Sequence, residues 1–275
     1  MADKISLTQA VRGNLLSLQR TSTGIDQTQT RLSTGLRVSS AIDDAAAFFT
    51  ARAFDNRASD LESLKSNIDL AISTIQAAID GIDAITDIVQ QAKGIASAAK
   101  ATGDTNERST LAVQFNELLS QINSIANDST FNGLNLLQAT PDNLAVEFNE
   151  DNTSNLTITG LDATTATSGI NIAVAANNFG LNANIDTALT SISSALTTLR
   201  SNASTLGSNN TILTTRLDFT KNLVNTLETG SGKLTLADLN EESANLLALQ
   251  TRQQLGLNSL ALASQSERAI LSLFG

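Results

Sequence analysis

The sequence predicts a mainly α protein: a long antiparallel helical rod, coiled-coil-like, with terminal helices and a small β-hairpin-rich tip. Three observations carry this prediction. Apolar residues recur at steps of three and four over most of the chain, the spacing of one helix face. That period is lost between about 140 and 184, where Pro141, Gly160, Gly169 and Gly180 stand among many Asn and Thr. Both ends keep the period, but polar residues interrupt it.

At the N-terminus the seam reads Val11, Leu15, Leu18, Ser22, Ile25, Gln29, Leu32. Residues 21–35 are rich in Thr and Ser and contain Gly24 and Gly35, residues that propagate a helix poorly. Such a segment is marginal alone in water, so it is expected to be helical only when packed against something else. The strongest pattern follows: Leu61, Leu64, Ile68, Ala71, Ile75, Ala78, Ile82, Ile85, Val89, Ala92, Ala96, Ala99. Ile72, Ile79, Ile88 and Ile95 widen this stripe beyond what a two-stranded coil uses. A helix over about 57–101 spans roughly 65 Å. Gly103 and Asp104 mark a loop, and Leu111, Phe115, Leu118, Ile122 and Ile125 form the next helix.

After that helix, Asn132-Gly133 suits a tight β-turn, because both residues tolerate positive φ. Leu144–Phe148 and Leu156–Thr159 alternate as strands do, and the polar residues 149–155 between them suit a hairpin. Loosely ordered loops are expected around Ile170 to Val174. The helical period resumes at Ile185 and runs through Leu189, Ile192, Leu196, Leu199, Ala203, Leu206, Leu213, Leu217, Val224 and Leu227, with Asn210 and Thr220 at seam positions. This gives a second helix of about 60 Å. Gly230-Ser231-Gly232 reads as a flexible break. The last seam is Leu246, Leu249, Gln253, Gly256, Leu260, Ala263, Glu267, Ile270, Phe274.

Composition narrows the function. The 275 residues carry no Cys, no His, no Trp, no Tyr and a single Pro. A Ser-His-Asp triad, a thiol nucleophile, a Cys-type zinc site and a disulfide framework are therefore impossible. A net charge of −10 with 3% aromatics disfavours nucleic acid and anionic membrane surfaces as partners. No apolar run approaches the ~20 residues that span a bilayer, and the first twenty residues lack the apolar block of a signal peptide. Asp43-Asp44 suits a turn or helix start before Ala45 better than a divalent-ion site, because no further oxygen ligands fall in register. Lys65, Lys93 and Lys100 suit the solvated face of the long helix. The N-x-[ST] sequons at Asn127, Asn152, Asn155, Asn202 and Asn209 are the chance product of an Asn/Ser/Thr-rich chain. No catalytic constellation, cofactor site or metal site is expected, and the chain is read as a non-enzyme.

Residues 31–46 read Arg-Leu-Ser-Thr-Gly-Leu-Arg-Val-Ser-Ser-Ala-Ile-Asp-Asp-Ala-Ala. This stretch closely resembles the N-terminal signature of bacterial flagellins. Phe131-Asn-Gly-Leu-Asn-Leu-Leu137 resembles the family's F-N-G-x-x-L-L segment, and Ile270-Leu271-Ser272-Leu273-Phe274 is similar to its C-terminal ending. The resemblance covers about 1–140 and 185–275.

It implies a structural subunit of the flagellar filament, exported unfolded without a cleavable signal peptide and self-assembling outside the cell into a hollow helical filament for motility. It further implies that 1–40 and 235–275 form the inner tube, that 41–140 and 185–234 form the rod, and that 141–184 is a variable tip. The implied partners are other copies of the chain, the flagellar cap, the hook-filament junction and the export chaperone and apparatus. The expected self-assembly residues are Leu15, Leu18, Ile25, Arg31, Leu32, Arg37, Asp43, Asp44, Leu246, Leu260, Ile270, Leu271 and Leu273, with the ionic members fixing register between subunits. The ends are expected to be disordered in the free subunit and to order on assembly.

Two departures stand out. Ala47-Phe48-Phe49-Thr50 replaces a common G-L-A-I continuation. Gln90-Gln91-Ala92-Lys93 lacks the arginines by which an animal innate receptor detects many flagellins, which implies weak stimulation. A hook-filament junction protein is the nearest rival, although that family tends to read D-D-P where this chain has Asp43-Asp44-Ala45. An intracellular coiled-coil scaffold would explain the heptads but not the three motifs in order.

Overall fold

The computed structural model describes residues 9–274, with side chains left undescribed at 10, 267 and 270–274. Among the described residues the elements are α1 (Gln9–Thr34), α2 (Ala45–Ala101), α3 (Thr105–Asp128), β1 (Thr130–Phe131), β2 (Leu134–Asn135), β3 (Leu144–Glu147), β4 (Asn155–Ile158), a 3-10 turn (Ala176–Phe179), α4 (Asn182–Thr235) and α5 (Leu239–Phe274). They fall into two compact units. One holds the chain up to Arg57 and from Thr226 onward, and the other holds Ala58–Asn225.

The Ala58–Asn225 unit owns a continuous apolar core. The predicted seam of α2 is its spine: Leu61, Ile68, Ala71, Ile75, Ala78, Ile82, Ile85, Val89, Ala92, Ala96 and Ala99 are all buried, while Leu64 and the widening isoleucines are half-buried. α4 contributes Ile185, Ile192, Leu196, Leu199, Leu206, Leu213 and Leu217. Thr220 is buried as its seam position requires. α3 seats Ala112, Phe115, Leu119, Ile122 and Ala126 in the same core. Its seam is thus rotated by about one residue from the predicted one, and only Phe115 and Ile122 belong to both. Where α2 gives way to α3, Asp104 accepts the Asn106 N–H at 2.8 Å and caps the new helix. The buried Arg108 donates to the Thr102 carbonyl at 2.8 Å and to Asn182 Oδ1 at 2.7 Å, joining that corner to the start of α4.

The F-N-G-L-N-L-L motif is a helix stop. Asn132 (φ 50°) and Gly133 (φ 80°) form the predicted turn between β1 and β2. The buried Asn135 then donates to the Ala126 and Asn127 carbonyls at 2.9 and 2.8 Å, and accepts the Leu137 and Gln138 N–H groups at 2.8 and 3.1 Å. It thereby satisfies carbonyls left over at the end of α3. Leu136 and Leu137 follow into the core.

The predicted hairpin is present as an antiparallel pair of β3 with β4, in the register Leu144–Ile158 to Glu147–Asn155. Leu144 and Val146 point into the core, and the Arg216 guanidinium lies 4.9 Å from the Phe148 ring centre. The expected looseness around 170–174 is corrected: Ile170 and Ile172 are buried. The segment lacks regular structure yet is held by asparagines one heptad apart on α3. Asn123 Oδ1 accepts both the backbone N–H and the hydroxyl of Thr165, and Asn116 Oδ1 accepts the Ala175 N–H at 2.9 Å.

In the other unit, α1 and α5 form an antiparallel pair. Asn14 meets Ser259, Leu18 meets Gly256, Gly24 meets Leu249 and Arg31 meets Glu242. The partner that α1 was expected to need is therefore, in the first place, α5 of the same chain. Gly35 (φ 70°) ends α1, its N–H donating to the Arg31 carbonyl. The chain then runs beside the end of α4, with Arg37 and Val38 donating to the Thr235 carbonyl and Ala237 donating to that of Gly35. The predicted break at Gly230-Ser231-Gly232 is also corrected, because α4 continues to Thr235. A Cβ at Gly230 would touch the Phe54 ring at 3.4 Å, and Ser231 is buried. Tertiary packing at this point overrides the weak helix propensity of glycine.

Candidate self-assembly surface

α1 turns a heptad face toward α5. Val11 and Ile25 are buried and Leu18 and Leu32 half-buried at one heptad position, while Thr21 and Thr28 are buried at the other. The Thr21 hydroxyl donates back to the Ser17 carbonyl at 2.9 Å, which lets a polar residue occupy a seam position. α5 answers with Leu246, Leu249, Gln253, Gly256, Leu260 and Ala263, all half-buried.

Of the sequence-predicted apolar residues, Ile25 therefore lies inside this pair, Leu18, Leu32, Leu246 and Leu260 are half-covered, and Leu15 is 37% exposed. Ile270, Leu271 and Leu273 lie on α5 outside the described side chains. The sequence reading missed a second set. Leu247, Leu255 and Leu262 are 68%, 64% and 69% exposed. At about 100° per residue they share one face of α5, within roughly 80° of arc. Leu16, Leu239 and Leu257 add exposed apolar area on the same two helices.

The predicted ionic residues sit around the junction of α1, the 35–44 connection and the start of α5. Arg31 Nη1 contacts Glu242 Oε1 at 2.9 Å, and Glu242 is buried in the first turn of α5, where the helix dipole favours a carboxylate. Arg37 Nη2 donates to the Leu234 carbonyl at 3.0 Å. Asp43 Oδ2 accepts the backbone N–H and the hydroxyl of both Ser39 and Ser40, at 3.0 to 3.1 Å. These bonds, that from the Ser39 N–H foremost, hold its carboxyl below the usual 3.8. Asp44 Oδ1 accepts the Ala47 N–H at 3.0 Å and caps α2, as expected for a helix start before Ala45. Each of the four thus has a partner within the chain. Arg31, Arg37, Asp26 and Asp43 nonetheless line an open groove of about 210 Å³ between α1 and the connection.

Long paired helices, with a terminal pair that leaves a leucine stripe uncovered, define a helical structural protein that works through its surfaces. Residues 5–142 match the bacterial flagellin N-terminal helical region, and residues 189–274 match the bacterial flagellin C-terminal helical region. Flagellin FljO of Caulobacter vibrioides is 35% identical over 95% of this chain and 96% of its own length. A flagellin of Brucella melitensis biotype 1 is 31% identical over 94% and 95%. The crystal structure of Bacillus cereus flagellin aligns at 20% identity and a TM-score of 0.49, covering 56% of this chain and 88% of that one.

The chain belongs to the bacterial flagellin family. It is a structural subunit of the flagellar filament, and the family implies self-polymerisation, motility and an extracellular location. No helix among the described residues is long and apolar enough to cross a membrane.

Proposed function

We propose that the α1–α5 pair forms the inner tube of the filament and that its uncovered leucines are the apolar contacts between subunits. The observation that carries this is the stripe of Leu247, Leu255 and Leu262. Each leucine covered by a neighbouring copy is worth ~1.5–3 kcal/mol before ordering costs. In this reading 1–40 with 235–275 build the tube, 41–140 with 185–234 build the layer outside it, and 141–184 is the variable tip. Leu15, Leu18, Ile25, Leu32, Leu246, Leu260, Ile270, Leu271 and Leu273 contribute partly by holding the pair together and partly by direct contact. Arg31, Arg37, Asp43 and Asp44 fix the register of neighbouring subunits, the first three through the groove they line.

The subunit is exported unfolded. It is handed from an export chaperone and apparatus to the growing end beneath the cap, beyond the hook-filament junction. A chain with no Cys and one Pro refolds there without disulfide steps and with few slow prolyl steps.

The test is seeded polymerisation of a triple variant, Leu247→Ser, Leu255→Ser, Leu262→Ser. Its critical concentration is expected to rise at least tenfold while circular dichroism shows the Ala58–Asn225 helices intact. An unchanged critical concentration contradicts the proposal.

A further inference from the structure

Gly13, Gly24 and Gly256 all lie inside the terminal helices, where glycine is less favourable to the helix than alanine. Their surroundings differ. A Cβ on Gly13 would meet nothing within 4 Å. One on Gly24 would rest against Leu249 Cδ1 at 3.4 Å, an ordinary contact. One on Gly256 would stand 2.9 Å from Leu18 Cδ2, 3.2 Å from Cγ and 3.9 Å from Cδ1. The Cδ2 methyl would have to turn aside and Cγ to give by a few tenths of an ångström, so Leu18 could not keep its present seat unchanged. Leu18 is thus a knob seated in the notch left where Gly256 has no side chain, between the Asn14–Ser259 and Gly24–Leu249 meetings.

We propose that Gly256 is the register-determining residue of the terminal helix pair: its notch seats Leu18 and fixes the axial alignment of α1 against α5. The other features of the interface specify alignment poorly. Leucine and alanine recur through the α5 seam, with Gln253 the polar exception among its described side chains, so a slide by one heptad would still leave most pairs apolar. The Arg31–Glu242 pair is more than a third exposed at Arg31, and such pairs discriminate weakly. A slide of one heptad on α5 would place Leu249 or Ala263 opposite Leu18 in place of glycine. The inference rests on the reading that this pair is the assembling part of the subunit.

The chain has no native cysteine, so one introduced pair reports the register. Asn14→Cys with Ser259→Cys places two thiols where the native side chains meet at 3.4 Å. Filaments of this reporter are oxidised mildly with Gly13→Ala, with Gly256→Ala, and with neither. The helix-propensity gain is the same for both alanines, so their difference isolates the notch. The reporter and its Gly13→Ala form are expected to give the intrachain disulfide in similar yield. The Gly256→Ala form is expected to lose at least nine-tenths of it, or to fail to polymerise. Adding Leu18→Ala to Gly256→Ala empties the space the methyl enters and is expected to restore the intrachain cross-link in the subunits present, polymerised or not, while polymerisation is compared only among the forms that keep Leu18. Full cross-linking with Gly256→Ala alone overturns the inference, as does a failure of Leu18→Ala to bring the intrachain cross-link back. If the reporter with neither alanine gives only cross-linked dimers, or no disulfide, the pairing of α1 with α5 of one chain is itself wrong, a different failure from that of the notch.

Discussion

Gly81 shows how much a single missing methyl group can decide. It sits mid-helix in α2, where a Cβ would fall 2.3 Å from Ser129 Oγ and 2.8 Å from Leu137 Cδ1. The glycine therefore lets the corner after α3 close onto α2. Gly81→Ala is expected to destabilise by about 1–3 kcal/mol, the usual cost of overpacking, despite the better propensity of alanine. Gly94→Ala, on the same helix with nothing within 4 Å, is expected to stabilise by up to ~1 kcal/mol. Urea denaturation followed by circular dichroism reads both values.

Asp43 makes a second residue-scale prediction, about pH. Its folded carboxyl titrates below the ordinary 3.8 because Ser39 and Ser40 donate to the ionised form. The turn's stabilisation is therefore fully present above that ordinary value and is lost as pH falls through the lower, folded one. The protection of the Ser39 and Ser40 amides relative to their intrinsic exchange is expected to stay constant from neutral pH down to about 3.8 and to fall only in stronger acid. A loss of that protection already near neutrality would contradict this account of the turn.

At the scale of elements, helices were legible where their seams are apolar and less so where they are not. The α2 stripe could be read residue by residue because its core side is Ile, Leu, Val and Ala throughout. α1 was read with Leu15, Ser22 and Gln29 in its seam, but Thr21 and Thr28 take the second heptad position, because threonine can satisfy its hydroxyl on its own helix. The continuation of α4 through Gly230 and Gly232 was hidden for a related reason, since local propensity pointed to a break and Phe54 supplies the opposing contact. In the 140–184 region the hairpin was visible by alternation. The anchoring of 165–175 was not, because it depends on Asn116 and Asn123, whose heptad spacing on α3 looks like ordinary surface polarity. Asn116→Ala combined with Asn123→Ala is expected to leave the helices intact while raising protease sensitivity and amide exchange over 164–176 by tenfold or more. Unchanged protection there would show that the burial of Ile170 and Ile172 alone holds the segment.

At the scale of the molecule, the chain's two compact units differ in what they leave uncovered. The Ala58–Asn225 unit closes a core of its own from three helices and a hairpin. The terminal unit has a thin interface between two helices, with threonines, glutamine and glycine in its seam and leucines on its open side. That contrast is what the proposed assembly uses: one unit has a core of its own, and the other is proposed to be completed by neighbouring copies. Sequence reading found the terminal helices and the family motifs, but chose leucines from the seam facing the partner helix. An uncovered leucine and a seam leucine look alike until the partner of the helix is known.

The most direct test is an electron-microscopic reconstruction of the assembled filament at a resolution that traces helices. α1 and α5 should line the central channel with Leu247, Leu255 and Leu262 against neighbouring copies, and Leu18 should sit over Gly256 within each subunit. A filament whose terminal pair faces outward to solvent, with those leucines uncovered, would contradict the account.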